Sequence, residues 1–126
     1  MTSTPLFDIL NRFKAEVPHF ISTDIVEIDS GMSIAGGSVD PNFDASVASA
    51  CYAEVVKSNA RALDLIGIGA YATEDILITT TNAYLLIRMI GQRHYLGLAL
   101  GRQGTLGFAR ALMVKYAPQV LKALPT

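Results

Sequence analysis

The residues most able to carry chemistry are few and scattered. Gly101-Arg102-Gln103-Gly104-Thr105-Leu106-Gly107 lies where a strand gives way to a helix. Backbone amides at a helix N-terminus can hold a phosphate, and Arg102 would add charge. The spacing matches neither the dinucleotide fingerprint nor the GxxxxGK of a nucleotide-binding loop, and no strand follows the helix to complete a βαβ unit. Tight turning and close helix–sheet packing account for these glycines. Cys51 with His94 or His19 could pair a nucleophile with a base, yet Cys51 falls in the apolar stripe of a helix, where a buried thiol is inert. Two histidines and one cysteine show no zinc-ligand spacing. Glu74 and Asp75 are adjacent in or beside a strand, so they point to opposite faces instead of converging as an acid–base pair. They read as a bulge or as charges protecting an edge. Arg88 breaks the apolar run Tyr84-Leu85-Leu86-Ile87 from Met89-Ile90; it either projects to the end of the sheet or pairs with an acid such as Glu27. No reaction is written in these residues, and the expectation is a protein that is not an enzyme and uses no cofactor or metal.

The elements that would position such residues can be read from periodicity. Thr4 before Pro5 is a helix start, and Leu6, Ile9, Leu10, Phe13 and Val17 recur at helical spacing until Pro18 stops them. Phe20 to Ile28 is β-branched, Asp29-Ser30-Gly31 is a turn, and Met32 to Gly37 is a short return strand. Asp40-Pro41 and Asp44 offer starts for a long helix that runs to Ile66 and ends at Gly67. Three strands follow, at Gly69 to Thr80, Ala83 to Ile90 and His94 to Leu100. Spacers of two and three residues force them to be antiparallel neighbours. Thr105 to Leu124 is a closing helix. The order α-β-β-α-β-β-β-α predicts an α+β fold in which one five-stranded antiparallel sheet is sandwiched by helices.

The long central helix predicts three strips. Ala48, Cys51, Tyr52, Val55, Val56, Ala62, Leu63 and Ile66 would cover the sheet. Glu54, Lys57, Arg61 and Asp64 interleave opposite charges three and four residues apart. Between them lie the small residues Ser46, Ser49, Ala50, Ala53 and Ala60, which let another backbone approach.

Composition agrees with a need for such a contact. The 126 residues make one domain, 1–126, with about two-thirds of the open chain's surface buried on folding. Hydrophobic residues form 51% and charged ones only 17%, more apolar than a solitary core requires. Ten basic residues against eleven acidic ones leave a net charge of −1, which disfavours nucleic acid as a partner. No apolar run approaches a membrane span, and no secretory leader is evident. With one free thiol, this predicts a cytoplasmic setting.

The chain resembles the roadblock/LC7 family, whose fold is profilin-like. The likeness rests on the element order, the hairpin Ile25-Val26-Glu27-Ile28-Asp29-Ser30-Gly31-Met32-Ser33-Ile34-Ala35 and the alanine-rich helix. It extends through Leu65-Ile66-Gly67-Ile68-Gly69, Tyr84 to Arg88, Tyr95 to Leu100 and the closing helix. The resemblance implies a non-catalytic homodimer that regulates or scaffolds a Ras-like small GTPase, with long helices side by side and third strands joined into one ten-stranded sheet. Carried over by position, the interface would comprise Ala50, Ala53, Glu54, Lys57 and Arg61 on the helix and Tyr71, Thr73 and Ile76 on the strand. Arg61 and Arg102 would be the candidates for an inserted arginine, since guanidinium can stabilise phosphoryl-transfer charge. The alternative is a small-molecule-sensing PAS- or profilin-like signalling domain, disfavoured because Phe13, Phe20, Leu86, Phe108 and Tyr116 could fill its pocket.

Overall fold

Pro18 lacks an amide proton and His19 is held at φ 59°, so the first helix cannot continue into the first strand. The computed structural model describes residues 5–125, and the expected cap at Thr4 lies outside them. Eight elements follow in the expected order: α1 (Pro5–Glu16), β1 (Phe20–Glu27), β2 (Met32–Ser38), α2 (Ala45–Leu65), β3 (Asp75–Thr79), β4 (Ala83–Ile90), β5 (His94–Gly101) and α3 (Leu106–Ala123). The strands form one antiparallel sheet in the order β2-β1-β5-β4-β3, which leaves β2 and β3 at the edges.

Local chemistry sets the boundaries. Gly31, at φ +71°, closes the β1–β2 turn, where a Cβ would come within 3.1 Å of the Ala50 Cα. Thr80 builds the β3–β4 turn: its Oγ1 accepts from the Asn82 and Ala83 amides. The Asp44 carboxylate caps α2 by accepting from the Ser46 and Val47 amides at 3.0 and 3.3 Å. At the other end of α2, the Gly67 amide donates to Asp64 O and the Ile68 amide to Leu63 O. Gly67 sits at φ +82° between them, a Schellman closure.

Side chains alternate across the sheet. On one face Ile25, Leu86, Ile90, Leu96, Leu98 and Leu100 meet α1 and α3, centred on Phe13 and Tyr116 with rings 5.4 Å apart. On the other face Val26, Ile28, Ile87 and Tyr95 meet α2.

The structure corrects three expectations. The third strand begins at Asp75 and not at Gly69. Asp75 is opposite Arg88, so two more residues would exhaust β4 at Ile90. The Asn59 amide, donating to Thr73 Oγ1 at 2.7 Å, holds the preceding segment against α2 instead. The inward face of α2 is Ser49, Ala53 and Val56, while Cys51, Val55, Ala62 and Ile66 are exposed. The small residues are what allow α2 to lie close to its own hairpin, and Cys51 is a solvent-facing thiol, not a buried one. Phe108, half exposed, does not help fill the interior, whereas Phe13, Leu86 and Tyr116 do.

Candidate functional site

Because α2 leans over β1 and β2, the β3–β4 half of that face is only partly covered. Ile76, Tyr52 and Met89 pack against the small cluster around Val26 and Tyr95 without closing it. Exposed apolar side chains gather along the outside and C-terminal end of α2 and in the segment after it: Val47, Val55, Leu65 (88% exposed), Ile66, Ile68 and Tyr71. For a chain this size such a concentration is an exposed apolar patch of the kind that interaction surfaces present. β3 adds an open edge of five residues, with backbone groups free to pair onward.

The eight residues expected at this surface divide into three groups. Lys57, Arg61, Tyr71 and Thr73 come together around one open groove of about 480 Å³, joined there by Asn59 and Arg93. Ala50 and Glu54 lie on the exposed side of α2. Glu54 accepts from Lys57 Nζ at 2.9 Å, and that contact lowers the Glu54 carboxyl below its ordinary range. Arg61 donates to Ser58 Oγ at 3.0 Å. Ala53 is 1% exposed and packed against its own sheet, so it is not available as surface. Tyr71 and Thr73 precede β3 and do not belong to it, while Ile76 is its second residue and partly buried.

Asn59 and Arg93 were not legible as site residues. Asn59 lies on α2 two residues after Lys57, but Arg93 comes from the β4–β5 turn, and only the folded sheet brings it to the groove. Three cations, Lys57, Arg61 and Arg93, against the single acid Asp29 make the lining basic, suited to an acidic partner.

The other chemical candidates are otherwise engaged. The Arg102 guanidinium donates to Thr80 O at 2.6 Å and stacks 4.9 Å from the Tyr84 ring centroid, so it braces the β3–β4 turn. Arg88 pairs with Asp75 at 3.3 Å and not with Glu27, and Arg110 of α3 reaches the same oxygen at 2.6 Å. Asp75 thereby clamps the edge strand to α3, and Glu74 takes no part. Among the described residues no cluster of His, Cys, Asp and Glu could hold a metal, and no helix is long and apolar enough to cross a membrane.

No family model matches the chain, and no curated protein matches it either. Solved structures do. Myxococcus xanthus MglB superposes with a TM-score of 0.86 at 17% identity, over 97% of this chain and 96% of that one. A roadblock/LC7 domain from Streptomyces avermitilis gives 0.76 at 17% identity, over 89% and 91%. Acanthamoeba castellanii profilin II gives 0.61 at 13%, over 93% and 97%. At these identities the likeness establishes the fold: the chain has the roadblock/LC7 fold, which is profilin-like.

Proposed function

We propose that this chain is a non-catalytic interaction module of the roadblock/LC7 kind, which pairs with a second copy of itself and regulates or scaffolds a Ras-like small GTPase. The observation that carries the reading is the α2 face: a half-covered sheet, a row of exposed apolar residues and an open β3 edge occur side by side. A symmetric contact covers all three at once, because a two-fold axis brings the same patch from each copy. The basic groove at Lys57, Arg61 and Arg93 supports an acidic protein partner. The commitment of Arg102 to Thr80 and Tyr84 supports a module that orders the GTPase's own switch loops and inserts no arginine from this loop.

Sedimentation equilibrium tests the pairing: a dimer is expected at micromolar concentration, and a lone chain refutes it. Single-turnover GTP hydrolysis by a GTPase recovered with the chain tests the mechanism. Arg102→Ala should leave any stimulation within a few-fold, whereas a thousandfold loss, the scale on which an inserted arginine acts, would overturn the switch-ordering account.

A further inference from the structure

Glu16, Asp44 and Glu54 all have carboxyls held below their ordinary range by hydrogen-bond donors. Asp24 goes the other way: burial pushes it up, only partly offset by Ser49. It stands on the α2 face of β1, and its cross-strand neighbours are Gly36 on β2 and Gly97 on β5. A Cβ at Gly97 would lie 2.7 Å from Asp24 Oδ1, and one at Gly36 would lie 2.9 Å from its Cβ. The two glycines therefore leave the carboxyl a hollow of its own. Oδ2 faces Ser49 Oγ at 2.8 Å. Among the described residues, Oδ1 has no hydrogen-bond donor and the carboxyl has no ion-pair partner.

The Ser49 hydroxyl carries one proton and faces two acceptors. Its Oγ is 2.5 Å from Ala45 O and 2.8 Å from Asp24 Oδ2, and one hydroxyl proton serves one acceptor. A protonated Asp24 donates to Ser49 Oγ and leaves the serine proton for Ala45. An ionised Asp24 takes that proton and breaks the Ala45 bond. Burial shifts Asp24 toward the neutral acid, and a cation at Oδ1 shifts it toward the carboxylate.

The hollow opens into a cavity of about 140 Å³ walled by Phe43, Tyr52, Ile87 and Tyr95. The Tyr95 hydroxyl donates to Ser49 O at 3.2 Å, which fixes its ring. Metabolite sites start at roughly 300 Å³, so this one admits only a few heavy atoms. Aromatic rings beside a carboxylate suit an organic cation. A guanidinium would use both carboxylate oxygens, but Ser49 faces one of them, which leaves a single acceptor for a compact ammonium.

We propose that this pocket binds an organic ammonium group, with one N–H donating to Asp24 Oδ1 and Phe43, Tyr52 and Tyr95 around its carbons. The group belongs to a free amine or to a lysine side chain of another molecule. Occupation favours the Asp24 carboxylate, which accepts the ammonium N–H. The other titratable groups facing Asp24 are Tyr95 of β5 and Tyr52 of α2; β2 presents glycine there.

Amide NMR titration at constant ionic strength tests this, with methylammonium chloride in one arm and N-acetyl-lysine methylamide in the other. Saturable shifts are expected at Ser49 and Gly97, with affinity falling as pH is lowered toward that of an ordinary aspartate. Saturation by methylammonium identifies a free-amine site, and saturation by the lysine analogue alone identifies a side-chain site. Asp24→Asn and Tyr52→Ala, both checked for fold by circular dichroism, should each weaken binding at least about tenfold. Shifts that stay linear with concentration in both arms would overturn the proposal, as would an Asp24→Asn protein that binds as well as the parent.

Discussion

The two faces of the sheet are built on different plans. Against α1 and α3, seventeen residues form one sealed cluster, and Phe13, Leu96, Leu100 and Val120 have no exposure at all. Against α2, six residues form the buried cluster, and much of the helix's apolar surface is turned away from it. The first face alone has the depth to stabilise the monomer, since burial scales with apolar area removed from water. The second is an interior left half built. Under the proposed pairing, stability and recognition fall to opposite sides of one sheet, and Tyr95 and Leu96, adjacent in β5, belong to different clusters.

The largest test of this contrast is core truncation. Phe13→Ala should cost about 3–5 kcal/mol in urea unfolding, and Val56→Ala about 2 kcal/mol. Equal costs would mean that the α2 face is as much a core as the other, and the contrast would fail. Next comes association. Val55→Glu places a charge on the outside of α2, where the native side chain is 39% exposed. It should weaken the proposed dimer by at least about thirtyfold in sedimentation, a hot-spot loss, while the monomer's urea midpoint stays put.

Acid–base behaviour sharpens the contrast, because one carboxyl on each face shifts in opposite directions. Glu16 is lowered first by the Tyr116 hydroxyl, 2.5 Å away, and then by Lys115. A depressed folded value means stability present above the unfolded value near 4.5 and lost as pH falls through the folded one. Asp24 is raised, so its contribution is present below the unfolded value near 3.8 and lost as pH rises through the folded one. Asp24→Asn should therefore raise the neutral-pH melting temperature, with the gain vanishing in acid. Glu16→Gln should lower it, and its deficit should likewise close in acid. Thermal melts of the two variants between neutral and acid pH read both signs. The β3 clamp gives the last test: Arg88→Ala should cost about 1–2 kcal/mol because the pair is partly buried. Arg110→Ala, on a more exposed side chain, should cost less than about 1 kcal/mol in the same urea measurement.

What could be read in the sequence was local. Pro18, Gly31, Gly67 and the two short spacers fix where elements stop, because each acts through its own backbone or a neighbour's. What could not be read depended on register or on distance in the chain. Tyr71 and Thr73 have strand-forming side chains, yet they lie outside β3: Tyr71 falls past the end of β4, and Thr73 is held toward α2 by Asn59. The covering face of α2 was misplaced because hydrophobicity and burial part company there: Ser49 is wholly buried and Leu65 almost wholly exposed. Asp24 gave no signal within its own strand, since its meaning lies in glycines twelve or more residues away. The Arg88–Asp75 pairing was within reach, because the Thr81-Asn82 spacer sets that register, but Glu27 was the acid named.

The unequal edges of the sheet carry one more consequence. β2, with Gly36 and Gly37 in its second half, is a poor template for a further strand, whereas β3 is rich in isoleucine and leucine. A building block with one adhesive rim and one slippery rim does not extend edge to edge. In the proposed dimer joined through β3, both good rims are consumed, and growth of the sheet into a fibre has nowhere to start.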